Sequence, residues 1–134
     1  TGKIVKKLSS VIRDTDIDDF SFIESAGTWS PDSRQFAFVV FSKGKNRLAI
    51  VNVRKARKVR EVELKGVPSF SNPSWSPDGN RIVVTGMVDG VSDLFAYDTE
   101  TGAVERLTND LIANIHPSWS PDGSKIVYSQ EVIG

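Results

Sequence analysis

Two places in this sequence carry residue types that could do chemistry. The first is Asp14, Asp16, Asp18 and Asp19, whose Asp-x-Asp-x-Asp spacing could set carboxylate oxygens around a calcium ion. The pattern fails as a helix–loop–helix calcium loop, because Asp19 stands where glycine is needed and Ser25 occupies the twelfth position in place of glutamate. A solvated loop whose carboxylates cap nearby backbone N–H groups is the better reading, and no metal site is assigned. The second place is His116, the sole histidine, directly before Pro117. One imidazole without partners builds no metal site. The residue before a proline favours an extended backbone, so His116 reads as a structural residue at a strand entry.

Motifs for catalysis are missing. The sequence has no Gly-x-Ser-x-Gly elbow, no His-Glu-x-x-His pair and no phosphate loop. With no cysteine, a nucleophile–base pair would have to recruit His116, and no serine is set beside it. No catalytic residue and no cofactor is therefore assigned. Lys43, Lys45, Arg47, Arg54, Lys55, Arg57, Lys58 and Arg60 precede any acid until Glu61, and such a run could meet phosphates or an acidic partner. It lacks interleaved aromatics, and the 17 basic residues of the chain are balanced by 17 acidic ones. A solvated outer rim is expected, with no nucleic-acid partner. The longest wholly apolar run, Phe36 to Phe41, is far too short to span a bilayer, so no membrane insertion is expected. The lack of cysteine excludes disulfides and thiolate metal sites.

What must position these residues is a repeat. Trp29-Ser30-Pro31-Asp32-Ser33, Trp75-Ser76-Pro77-Asp78-Gly79 and Trp119-Ser120-Pro121-Asp122-Gly123 are near copies, each followed by a short apolar run. The tryptophans lie 46 and 44 residues apart (75 − 29 and 119 − 75), a period that with β-type sequence marks the blades of a propeller. Proline presets φ for the second position of a type I turn, aspartate suits the third, and glycine accepts the left-handed conformation that closes the loop. The serine hydroxyl and the aspartate carboxylate can bond to neighbouring backbone N–H groups. Asp32, Asp78 and Asp122 are thus read as turn residues, and Trp29, Trp75 and Trp119 as packing surface between sheets. If the closing position needs φ > 0, Ser33 costs about 1 kcal/mol relative to glycine.

Taken in order, residues 1–9 match Thr101 to Thr108 in turn, alternation and terminal hydroxyl, and so read as the outer strand of a preceding blade. Leu8 lies 21 residues before Trp29, against 12 from Leu107 to Trp119 and 11 from Leu64 to Trp75, which makes 10–26 an inserted connection. Blades are expected over 27–65 and 72–108, and half a blade over 116–134. The first has strands near 27–30, 35–42, 47–53 and 58–64. The half blade has strands near 117–120 and 125–130. No helix is expected.

The residues from Ser74 to Val83, from Asp93 to Gly102 and from Ser118 to Val127 resemble the Pro-Asp variant of the WD-repeat-like propeller, best known from the TolB family of bacterial periplasmic proteins. Similar blades occur in tricorn-like and dipeptidyl-peptidase-like propellers. The resemblance implies an all-β partial propeller of about three four-stranded blades, part of a closed ring of about six or more. It implies a periplasmic or cell-envelope setting and a protein or peptide partner. An open arc leaves end faces and strand edges uncovered, so further blades are expected from a longer parent chain or from copies of this one. Such blades also serve hydrolases, where they gate or position substrate for a catalytic domain elsewhere. Fourth-to-first and second-to-third connections of a blade share one face, and Asp16, Asp18, Asp19, Asn72 and His116 are the candidates to line a partner site there.

Overall fold

The computed structural model describes residues 27–55 and 57–131, with backbone alone at 57–59. Among these residues ten strands follow one another: β1 (Thr28–Trp29), β2 (Gln35–Ser42), β3 (Lys45–Asn52), β4 (Arg57–Val62), β5 (Ser69–Trp75), β6 (Arg81–Val88), β7 (Val91–Asp98), β8 (Val104–Arg106), β9 (Ala113–Trp119) and β10 (Ile126–Glu131). They form two four-stranded sheets in the orders β1-β2-β3-β4 and β5-β6-β7-β8, and a two-stranded sheet of β9 and β10. Every pairing is antiparallel between sequence neighbours. The protein is an all-β partial propeller.

Each Trp-Ser-Pro-Asp unit makes the first hairpin of its sheet by the same bonds. The N–H of Ser33, Gly79 and Gly123 donates to the carbonyl of Ser30, Ser76 and Ser120, each at 2.9 Å. The hydroxyls of Ser30, Ser76 and Ser120 donate to Asp32, Asp78 and Asp122 at 2.6, 2.6 and 2.7 Å. The same hydroxyls accept the N–H of Gln35, Arg81 and Lys125, each at 3.0 Å, where the next strand begins. The closing residues have φ of 60° at Ser33, 79° at Gly79 and 75° at Gly123. Ser33 does occupy the left-handed region.

The second hairpins are tighter than the sequence suggests. From the sequence, connections of five and four residues are expected at Ser42–Asn46 and Asp89–Ser92. The observed turns are the two residues Lys43-Gly44 (φ 54° and 82°) and Asp89-Gly90 (φ 53° and 78°), flanked by the pairs Ser42↔Lys45 and Val88↔Val91. Positive φ at both central residues is the type I′ geometry, whose twist matches that of the strands, so pairing continues to the turn. First strands likewise begin earlier than expected, at Ser69 and Ala113, because pairing with β6 and β10 extends past the prolines.

The sheets stack face to face. Alternation along β2 and β3 sends Ala37, Val39, Leu48 and Ile50 to one side, against Ile82, Val84, Phe95 and Tyr97 of the second sheet. Phe38, Val40, Ala49 and Val51 form a separate buried cluster on the other side. The far face of the second sheet presents Val83, Leu94 and Ala96 to Leu107, Trp119 and Ile126. The second sheet is thus apolar on both faces, which explains strands with little alternation in hydropathy. Trp75 is 8% exposed in the first of these interfaces, but Trp29 is 44% exposed and meets Phe36 edge-on at 5.0 Å. Packing between sheets therefore holds for Trp75 and Trp119, and not for Trp29 among the described residues.

Two substitutions test this backbone. Replacing Ser33 by glycine relieves a left-handed serine and should stabilise the chain by about 0.5 kcal/mol in urea denaturation. A Cβ on Gly86 would lie 2.6 Å from both Phe95 and Val67. Gly86→Ala should therefore lower stability by about 2 kcal/mol, read from the same midpoints.

Candidate functional site

The first strands of successive sheets run side by side. Trp75 N–H donates to Thr28 Oγ1 at 3.1 Å, and Trp119 N–H to Ser74 Oγ at 3.4 Å, so one repeat position bonds to its predecessor twice over. Upstream of these contacts each strand is bulged. Ser71 pairs with Thr85 and Ser74 with Val83, which leaves Asn72 and Pro73 opposite Val84 alone. Ile115 pairs with Ser129 and Ser118 with Val127, which leaves His116 and Pro117 opposite Tyr128. Proline has no N–H for the ladder, and an extra residue there removes the conflict.

The bulges set φ to 53° at Asn72 and 55° at His116. The extended backbone expected of a residue before proline is therefore corrected at His116. Its N–H leaves the ladder and donates to Thr85 Oγ1 of the preceding sheet at 3.1 Å. Non-glycine residues in this region are uncommon, asparagine and histidine being among the more tolerant.

Asn72, Pro73, His116 and Pro117, with Gly27 of the first sheet, line one cavity of about 210 Å³. Gly27, Pro73 and Pro117 each stand two residues before the repeat tryptophan. Two of the five candidate partner residues, Asn72 and His116, are thus brought together from equivalent positions. The other three, Asp16, Asp18 and Asp19, lie outside the described residues, as do 1–9 and the connection 10–26.

The turn-and-connection face is also knit together. Asn46, directly after β3 starts, donates its N–H to Pro68 O at 2.8 Å and accepts the Phe70 N–H at 2.9 Å. A second-to-third turn therefore sits beside the connection into the next sheet. The basic run does not gather on this face: Arg54 and Lys55 lie in the β3–β4 turn at the other end of the sheet. Lys45 pairs with Glu63 at 3.1 Å, Arg47 with Glu63 at 2.6 Å, and Arg60 donates to Thr99 O at 2.5 Å.

One polar cluster escapes a reading of the sequence. Asp93 is fully buried and accepts bonds from Arg106 at 2.5 Å, Thr108 at 2.7 Å and Asn114 at 3.0 Å. Asn114, also fully buried, donates to Asp110 at 2.8 Å and accepts from Gln130 at 3.0 Å. The network ties β7 and β8 to both strands of the third sheet. Burial by itself raises the carboxyl pKa of Asp93, but the bonds from Thr108, Arg106 and Asn114 prevail and hold it below the ordinary value. The sequence marks it only as an aspartate at the third position of β7, with nothing to single it out from other strand-start polar residues.

The three turn aspartates are also held low. For Asp32 and Asp78 the main cause is the hydroxyl bond from Ser30 or Ser76. For Asp122, at about 2, it is the Ser124 N–H, with the hydroxyls of Ser120 and Ser124 adding to it. Each uses its Oδ1 to hold its own turn, as its place in the repeat implies.

Comparison with known proteins places these observations. A family model described as the TolB beta propeller domain matches residues 17–134. The Tol-Pal system protein TolB of Ruthia magnifica subsp. Calyptogena magnifica is 30% identical over 83 residues, which cover 61% of this chain and 19% of that protein. The crystal structure of TolB from Acinetobacter baumannii superposes with a TM-score of 0.71 at 24% identity, over 84% of this chain and 28% of that one. The β-propeller domain of the Trilobed protease from Pyrococcus furiosus superposes with a TM-score of 0.63 at 19% identity, over 82% and 34%. At these identities the two structures share a fold with this chain. The chain spans 19% and 14% of the lengths of two curated TolB relatives that it matches.

The Asp93 cluster predicts an acid dependence. Its folded pKa lies below the unfolded value of about 3.9, so its contribution is complete above that pH and is lost as pH falls through the folded value. Asp93→Asn should be less stable than the wild type by about 2 kcal/mol at pH 7. That gap should narrow in urea titrations carried from pH 5 toward about pH 2, as the wild-type carboxylate takes up its proton.

Proposed function

The chain belongs to the TolB beta propeller domain family, and from that premise we propose that it is part of a non-catalytic propeller that binds a protein or a peptide. The observation that carries this reading is the placement of Asn72 and His116 at matching bulges around one cavity. Two side chains of different hydrogen-bonding capacity, held on rigid strands, suit a polar segment of a partner that enters along the inner strands. The relatives are named for the Tol-Pal system, which supports a partner from such a system and a place in the cell envelope. The acidic residues Asp16, Asp18 and Asp19 are proposed to extend the same site.

Ring completion by further blades belongs to the same proposal. Val127 is 67% exposed on β10, which has β9 as its one described neighbour, so the third sheet offers both an apolar face and an edge. Those blades come from a longer parent chain, or from copies of this one. A second reading has support in the likeness to the protease propeller: the same blades would gate or position substrate for a catalytic domain elsewhere.

Isothermal titration of the 134-residue chain with the Pal protein of a Tol-Pal system tests the first reading. Asn72→Ala and His116→Ala should each weaken binding by about tenfold. No heat with the wild-type chain at micromolar concentrations, or equal affinity in both variants, would overturn it. Light scattering of the chain alone separates the two sources of further blades: a monomer excludes assembly from copies.

A further inference from the structure

A second cleft lies between the first two sheets at the end that carries the Trp-Ser-Pro-Asp turns, away from the Lys43-Gly44 and Asp89-Gly90 turns. It holds about 460 Å³, with Trp75 as a wall, Asp32 and Asp78 at its sides and Gln35 beside them. The next pair of sheets repeats this arrangement. Pro31 approaches Gly79 at the first pair of turns, and Pro77 approaches Gly123 at the second pair, so the two turn pairs stack alike. Asp32 and Asp78 correspond to Asp78 and Asp122, and Trp75 to Trp119.

One lining residue differs in type. Six positions after the tryptophan, the first sheet has Gln35 and the second has Arg81. The Arg81 guanidinium lies over the Trp119 ring, 5.1 Å from its centroid. Arg81 also lies 3.9 Å from Glu105, so the next pair of turns receives a cation from its own chain, while the cleft at Asp32 and Asp78 offers two turn carboxylates and an indole with a shorter, neutral amide. The rings also differ in direction: Trp119 Nε1 donates to Ser74 O, and Trp75 Nε1 donates to Gly79 O, both at 3.0 Å.

The carboxylates are equipped to receive a cation. The turn bonds of Asp32 and Asp78 converge on Oδ1 in both residues, which leaves Oδ2 outside the turn. Both carboxyls stay ionised well into acid, chiefly through their serine hydroxyls. We propose that this first cleft is a receptor for the guanidinium of an arginine presented by a protein partner, seated against Trp75 and bonded by Asp32, Asp78 and the Gln35 side-chain oxygen. It takes from outside the cation that Arg81 supplies at the next pair of turns. This site is separate from the Asn72 and His116 cavity and stands or falls apart from it.

The probe is the capped tripeptide acetyl-Gly-Arg-Gly-amide, titrated into the full chain while the three indole N–H signals are followed by nuclear magnetic resonance. A saturable shift of the Trp75 signal is expected, with a dissociation constant of about 1–10 mM for one isolated side chain, and steady Trp29 and Trp119 signals. The glutamine tripeptide should leave Trp75 unmoved, and Gln35→Arg should abolish the response by filling the cleft from within. Asp32→Asn with Asp78→Asn keeps an Oδ1 acceptor for each turn and should weaken binding by about tenfold. If Gln35→Arg disturbs the other indole signals, the double asparagine variant decides. A Trp75 signal that never saturates, that answers equally to the glutamine peptide, or that shifts undiminished in the double variant overturns the proposal.

Discussion

Face-to-face contact between successive sheets is the constraint on which the rest of this structure depends. The second sheet presents Ile82, Val84, Phe95 and Tyr97 to one neighbour and Val83, Leu94 and Ala96 to the other. Fully burying an aliphatic or aromatic side chain contributes about 1.5–3 kcal/mol, so a sheet apolar on both sides is stable only with cover on both sides. The inner strands of the stacked sheets are then brought together, and the cavity at Asn72 and His116 is a consequence.

The Trp-Ser-Pro-Asp turn is where local and long-range structure meet. Its hydroxyl–carboxylate bond and its left-handed closing residue are local, and they recur in all three copies. Its proline, however, reaches across to the closing glycine of the next turn, at ordinary van der Waals distance from the place a Cβ would take. A side chain would fit beside that proline, so it is the positive φ of 79° and 75° that calls for glycine at Gly79 and Gly123. Ser33 has the same backbone conformation, with φ of 60°, and carries the left-handed cost that the two glycines avoid.

Polar contacts distinguish blades that the apolar pattern makes alike. The third residue of β3 is Arg47 and the third residue of β7 is Asp93. Arg47 reaches Glu61 and Glu63, on β4 and just beyond it, while Asp93 takes Arg106 from β8, so the charges are exchanged between equivalent sites. In the second sheet the pair extends through Thr108 and Asn114 to the third sheet, so it fixes a neighbour as well as its own edge. The interchange of Gln35 and Arg81 has the same character: a single side chain decides whether a cleft between turns is filled from within.

The sequence by itself determined the blade. Repeat spacing, turn residues and apolar runs placed the all-β class and the hairpins at Pro31, Pro77 and Pro121, because each rests on steric preferences of a few adjacent residues; that Ser33 must be left-handed was decided by the backbone itself. Local preference misled where a tertiary partner competed with it. His116 takes a left-handed φ before Pro117 because a bulge and the Thr85 hydroxyl of another sheet stabilise it. Trp29, Trp75 and Trp119 are alike in sequence yet differ in burial, and Asp93 looks like any strand-start aspartate until Asn114, 21 residues on, is folded against it. Those outcomes depend on which surfaces meet across the stack of sheets, and no short stretch of chain contains that information.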